Sequence, residues 1–146
     1  MSYSLDVNVL LYASDQTSQR RSAAFRFLEG RAADPDLLCL TWITLMSYLR
    51  IATHPRVFAR PLSPDEALAN VRALLRLPRV RVLTEEDGFL DVYREVAGAF
   101  AVRGNLVPDA HLVALLRQHG VRTLYTVDSD FRRFAFLDVR DPLVET

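Results

Sequence analysis

Apolar and polar positions along this chain fall into short blocks whose period switches between that of a strand and that of a helix. Residues 2–5 make a brief apolar run closed by Asp6, and a second apolar run follows at once through Val9, Leu10 and Leu11. The first predicts a buried strand and the second the start of a helix over 8–13. Residues 18–33 carry Ala23, Ala24, Phe27 and Leu28 at helical spacing with arginines between them, an amphipathic helix broken by Asp34-Pro35-Asp36. Residues 37–40 then read as a buried strand, and Thr41 can cap a helix over 42–53. That helix has apolar residues pointing several ways, so burial is expected for most of it, and Trp42, Phe58 and Phe131 are assigned to the core.

The second half repeats the alternation. Ser63-Pro64-Asp65-Glu66 has the composition of a capping box with proline at the first helical position, and its helix should stop at Pro78. Residues 79–83 alternate basic and apolar side chains, as an edge strand does. Thr84-Glu85-Glu86-Asp87 predicts a cap and an acidic first turn for a helix reaching about 102. Pro108-Asp109 opens a further helix ending at Gly120, 121–127 form a strand, Asp128-Ser129-Asp130 starts a short helix through 134, and 136–139 form the last strand. Strand and helix alternate throughout, without repeat or linker. This predicts one α/β domain over residues 1–146, its mostly parallel sheet covered on both faces.

Composition narrows the function classes. The 146 residues are half hydrophobic and a quarter charged, with 18 basic against 18 acidic residues. A globally basic nucleic-acid binder is therefore excluded, although local patches are not. Cys39 is the only cysteine, so neither an internal disulfide nor a cysteine-based zinc cluster can form. Its apolar neighbours predict a buried thiol. Every basic residue is arginine; without lysine, a Walker-type phosphate loop or a lysine-assisted aspartyl-phosphate site on Asp6 cannot be built. With no signal-peptide pattern and no apolar run near ~18 residues, the expected location is the cytoplasm, away from membranes.

Three acidic sites share an address. Asp6 follows the first strand, Asp128 and Asp130 follow the strand over 121–127, and Asp109 opens the helix before that strand. In an open parallel sheet the carboxyl ends of the strands are where ligands bind. Taken singly, each acid serves equally as a helix cap or a solvated charge. Gathered on one edge they repel one another unless a cation neutralises them, which predicts a hard ion, Mg²⁺ or Mn²⁺. Such an ion suits phosphodiester hydrolysis.

The residues around these acids resemble a known family. Leu5-Asp6-Val7-Asn8-Val9-Leu10-Leu11-Tyr12-Ala13, Leu49-Arg50-Ile51-Ala52-Thr53-His54-Pro55-Arg56-Val57-Phe58, Gly104-Asn105-Leu106-Val107-Pro108-Asp109-Ala110-His111-Leu112 and Thr126-Val127-Asp128-Ser129-Asp130-Phe131 are similar, in order and spacing, to the PIN-domain ribonucleases of the VapC type. The resemblance implies a three-layer α/β/α sandwich and a Mg²⁺- or Mn²⁺-dependent endoribonuclease. It also implies a toxin held inactive by a VapB-type antitoxin, whose basic segment would reach the acids and displace the metal. Homodimers are common in that family.

Carried over by position, Asp6, Asp109 and Asp128 correspond to the first, third and fourth acids of the family site. Asp130 either assists them or caps the following helix, with the cap preferred. Asn8 is placed to orient Asp6; Asn105 either braces the loop before Asp109 or occupies a left-handed turn position. The family's second acid, three positions before the arginine of the Leu-Arg pair, is Ser47 here. Its neutral hydroxyl cannot replace a carboxylate's charge, although Ser47 and Thr44, one turn apart, could both bind a metal-held water. Two readings follow: an endoribonuclease working with three acids, or a catalytically impaired domain that only binds RNA or antitoxin. Arg50, Arg56 and Arg60 are candidates for RNA phosphates, since arginine binds phosphate bidentately. His111, His54 and His119 are expected to be structural.

Overall fold

Strand β1, Ser2–Leu5, is buried from Tyr3 onward, and Asp6 leaves it with extended backbone (φ −84°, ψ 161°) to cap helix α1, Val7–Ser14. In the computed structural model, which describes residues 1–144, the chain continues through α2 (Arg21–Glu29), β2 (Leu37–Thr41), α3 (Trp42–Ala52), α4 (Pro64–Leu75) and β3 (Val80–Leu83). It ends with α5 (Phe89–Ala97), α6 (Leu106–Gln118), β4 (Thr123–Tyr125), a 3-10 turn (Ser129–Arg133) and β5 (Asp138–Arg140). The five strands order as β3-β2-β1-β4-β5, each parallel to its neighbours. Ser4 lies opposite Cys39 on one side and Leu124 on the other.

Two apolar cores sandwich this sheet. On one face Leu112, Val113 and Leu116 of α6 and Val96 of α5 pack with Leu124 and Val139. On the other, Leu10 of α1, Leu45 and Tyr48 of α3 and Val71 of α4 pack with Leu5, Leu38 and Leu40. Each fully buried leucine contributes about 1.5–3 kcal/mol of transfer free energy, so both faces are strongly held. The result is the three-layer α/β/α arrangement with a wholly parallel sheet. Its strand carboxyl ends align Asp6, Thr41 and Thr126 along one edge. Among the described residues, no helix is long and apolar enough to cross a membrane.

Several local readings change in the folded chain. The capping box forms as expected, with Glu66 N–H donating to Ser63 Oγ at 3.1 Å and Ser63 N–H to Glu66 Oε1 at 3.2 Å. Residues 84–87, however, are not the first turn of α5. That helix starts at Phe89 after Gly88, whose φ of 79° favours glycine. Gln118 of α6 instead clamps the loop, accepting from Glu86 N–H and donating to the Glu86 and Asp87 carbonyls. Helix α6 starts two residues before Pro108; proline fits there because the first-turn N–H groups have no intrahelical partner. Asn105 has right-handed backbone (φ −68°), and the left-handed position is Gly104 (φ 58°). Phe58 and Phe131 are buried but Trp42 is 48% exposed and Met46 57%, so α3 carries an unburied apolar stripe.

Candidate functional site

Asp6 sits between two neighbouring strand ends. Its Oδ1 accepts from Val7 N–H at 2.7 Å. Its Oδ2 accepts from Thr126 Oγ1 at 2.8 Å and from Asn8 Nδ2 at 3.1 Å. Thr126 is almost fully buried. Its hydroxyl gives its one proton to Asp6 and accepts from Asn8 Nδ2 at 3.0 Å and Asp128 N–H at 3.0 Å. A single oxygen thereby ties the first acid to the backbone of the fourth. Asn8 completes the tie, its Oδ1 accepting from Val127 N–H at 3.4 Å. Asn8 thus bonds Asp6 directly, and Thr126, in the sequence only the first residue of a motif, bonds it from the adjoining strand.

Asp128 has a second task. Its Oδ1 accepts from Asp130 N–H at 2.9 Å and caps the 3-10 turn. The cap is therefore Asp128, not Asp130; Asp130 is exposed and adds its charge to the edge. Asp109 stands half-buried in the first turn of α6. Burial pushes its carboxyl up to about 6, and the charges of Asp6, Asp128 and Asp130 push the same way. Burial also raises the Asp6 carboxyl, against the hydrogen bonds from Thr126 and Val7, with Asp128 adding to the rise. The four acids therefore share one electrostatic neighbourhood.

In this arginine-rich chain the described ion pairs join arginines to Asp34, Glu95 and Asp138, and none reaches the four acids. An all-oxygen, multiply negative and unneutralised donor set fits a hard divalent cation. Among the described residues, though, no three histidine, cysteine or acidic side chains are close enough to grip an ion as they stand. Asp6 and Asp128 are held by hydrogen bonds, whereas the Asp109 carboxylate makes none among the described residues.

The supporting residues fall less neatly. Thr44 is buried, its backbone N–H and its hydroxyl both bonded to Thr41 Oγ1, so it belongs to the cap of α3. Ser47, half-buried one turn later, makes no hydrogen bond among the described residues. Arg50 lies roughly 12 Å along α3 from the acidic edge, and Arg56 and Arg60 follow beyond its far end. Arg132 and Arg133, in the turn after Asp128, and Arg103, just before α6, are exposed, with the Arg133 guanidinium 5.9 Å from the centre of the Phe100 ring. His111 pairs with Glu85 at 2.7 Å, and His119 bonds the Thr84 carbonyl at 2.7 Å.

This fold and edge can now be set beside known proteins. The PIN domain family profile matches residues 3–137, and ribonuclease VapC48 of Mycobacterium tuberculosis is 44% identical over 142 residues, 97% of this chain and 98% of that protein. The chain belongs to the PIN-domain family, in its VapC branch. Ribonuclease VapC37 of the same organism is 33% identical over 130 residues, 89% of this chain and 90% of the relative. Among solved structures, VapBC2 from Rickettsia felis, bound to a DNA fragment from its promoter, matches with a TM-score of 0.68 at 17% identity, covering 96% of this chain and 98% of that one. VapC20 of Mycobacterium tuberculosis, a toxin described as cleaving the sarcin–ricin loop, matches at 0.65 with 19% identity, covering 95% and 99%. At those identities the likeness shows the PIN fold alone.

Proposed function

We propose that this VapC-family chain is a Mg²⁺- or Mn²⁺-dependent endoribonuclease, the toxin of a toxin–antitoxin pair. The observation that carries the reading is the unneutralised edge on which Thr126 joins Asp6 to Asp128 and where burial, with the charges of Asp6, Asp128 and Asp130, pushes Asp109 up to about 6. These three carboxylates would hold the ion. Bound there, it supplies a Lewis acid that activates water and neutralises the charge developing on the phosphodiester oxygens.

The chain's own residues do the positioning. Thr126 and Asn8 fix the lone pairs of Asp6, so that one acid meets the ion already oriented. Asp128 is held by the turn that it caps. Asp109, half-buried in the first turn of α6, would complete the donor set. Arg103 precedes α6 and Arg132 follows Asp128 in the chain, and both are exposed, so their guanidinium groups would suit phosphates flanking the scissile bond.

Ser47 favours the second reading, an impaired domain that binds without cutting, since it leaves the site with one carboxylate fewer. Purified protein, freed of any partner, is expected to cleave RNA with Mg²⁺ or Mn²⁺, and Asp6→Asn to abolish that cleavage. Intact RNA in both metals, with no ion binding by calorimetry at millimolar concentration, would leave the binding module standing.

The chain also offers an antitoxin a seat. Between α1, α2, α3 and α4 runs a groove of about 370 Å³, lined by Leu10, Ala13, Phe25, Leu28 and Leu74. Its apolar floor fits the apolar face of a helix, a common mode of peptide recognition. A basic side chain continuing from such a helix to the strand ends would neutralise the acids in place of the metal.

A further inference from the structure

Trp42 is the chain's only tryptophan, and it is not where an indole of this size is usually found. It begins α3 directly after β2, with 48% of its surface exposed. The register locates it relative to the acids. Ser4 lies opposite Cys39 in the parallel pair β1–β2, so two residues further Asp6 is level with Thr41. Trp42 comes one residue past that level, at the first position of α3. Since neighbouring strands run about 4.8 Å apart, the backbone of Trp42 borders the carboxylate edge directly.

The helix around it explains the exposure. Thr44, Leu45, Tyr48 and Ala52 turn the buried face of α3 towards the sheet. Trp42, Met46 and Arg50, at successive four-residue steps, form the opposite stripe, all three exposed. A flat aromatic at the lip of the acids, a flexible thioether and then a guanidinium make a sequence of contacts suited to a single nucleic-acid strand. The ring offers a base a stacking face, and the arginine meets a phosphate. A second copy of the chain is the other candidate occupant; the place of Trp42 one residue past the level of Asp6 is what favours the strand that the acids act on.

We infer that Trp42 is a substrate-binding platform, stacking an unpaired base of the RNA strand whose neighbouring phosphate lies at Asp6, Asp109 and Asp128. The inference rests on the nuclease reading above for the position of the strand. It adds what that reading lacks, a sequence-tolerant contact that requires the RNA to be unpaired beside the cut. Each base stacked on an aromatic ring strengthens binding by a factor of about five to one hundred.

Because the chain has one tryptophan, its emission reports this position alone. The test titrates a 12-nucleotide unstructured RNA into the Asp6→Asn variant with Mg²⁺, following tryptophan emission and RNA anisotropy together. The expected result is quenching that tracks binding. Trp42→Ala should weaken the anisotropy-measured affinity by five- to a hundredfold and raise KM in the otherwise native enzyme more than it lowers kcat. Trp42→Phe, which keeps a stacking face, should recover most of the loss.

Unchanged emission at saturating RNA overturns the inference, as does Trp42→Ala binding and cleaving like the parent. Sedimentation supplies the last arm. If Trp42→Ala turns a dimer into a monomer while RNA affinity holds, the stripe is covered by a second chain and the inference is wrong. Quenched emission in a native protein that cuts no RNA would instead sink the nuclease reading and leave the stacking contact intact.

Discussion

Replacing Asp109 with asparagine should make the metal-free protein more stable, and the gain can be sized from the surroundings of that side chain. Its carboxyl, pushed from the usual 3.8 to about 6 by burial and by Asp6, Asp128 and Asp130, holds its proton more tightly in the folded than in the unfolded chain. The sign follows from linkage. Below about pH 3.8 both states are protonated and no penalty exists. Between about 4 and 6 the unfolded chain ionises first, so the folded state loses stability as pH rises. Above 6 the penalty is constant.

A shift of about two units corresponds to about 3 kcal/mol. Asp109 is only half-buried, so solvent screening reduces that figure. Its place in the first turn of α6 adds a favourable helix-dipole contribution of about 0.3–1 kcal/mol, which asparagine gives up. A net gain of about 1–2 kcal/mol remains, or a Tm higher by roughly 3–7 °C at pH 7.5 in chelator. Thermal unfolding followed by circular dichroism from pH 4 to 8, with chelator and with Mg²⁺ or Mn²⁺, measures it. The Tm difference should grow between pH 4 and 6 and then level off. Metal should raise the Tm of the native protein and scarcely move that of Asp109→Asn, which should also lose cleavage. A variant no more stable than its parent, with a pH-independent difference, would refute the claim that the acids strain one another.

Thr126→Val keeps the shape of the hub but leaves the Asp6 carboxylate, the Asn8 amide and the Asp128 N–H without their shared partner. It should cost about 2–3 kcal/mol in urea unfolding and weaken metal binding, with Thr126→Ser restoring both; an unaffected valine variant would remove Thr126 from the site. Ser47→Glu should tighten metal binding in calorimetry or speed cleavage, and if neither changes, Ser47 does not face the acids. Leu74→Arg places a charge in the groove between α1, α2 and α4 and should weaken antitoxin binding at least tenfold while leaving RNA cleavage intact. Equal binding in a pull-down or titration would move the antitoxin to another face.

The parts of this structure that could be read from the sequence are those set by local chemistry. The capping box at Ser63 and Glu66 forms from residues three apart, and the strand over 37–40 needs only its own apolar run. The common edge of Asp6 and Asp128 follows from a parallel sheet, which strand–helix alternation already implies. The misreadings arise where a distant residue overrides a local signal. Glu85, Glu86 and Asp87 have the composition of an acidic first turn, but Gln118, more than thirty residues away, takes up the backbone groups of that segment. Asp128 and Asp130 are equally good caps on paper, and only the 2.9 Å bond from Asp130 N–H to Asp128 shows which one serves.

Thr126 is the instructive omission. In sequence it is a β-branched residue near a strand end, where threonine is favoured for packing alone. Its role depends on Asp6, 120 residues earlier, being brought beside it by the pairing of β1 with β4. A usable signal did exist: once Asp6 and Asp128 are assigned to one edge, a polar residue at the level of Asp6 on the adjoining strand is the natural group to bond its carboxylate. The same register argument on the other side of β1 leads to Thr41 and Trp42. Thr41 turns inward to cap α3, and Trp42 is left facing solvent beside the acids. The sheet thus assigns opposite tasks to the two flanks of Asp6. A buried hydroxyl on β4 fixes the acid, and an exposed ring after β2 is free for whatever the acid acts upon.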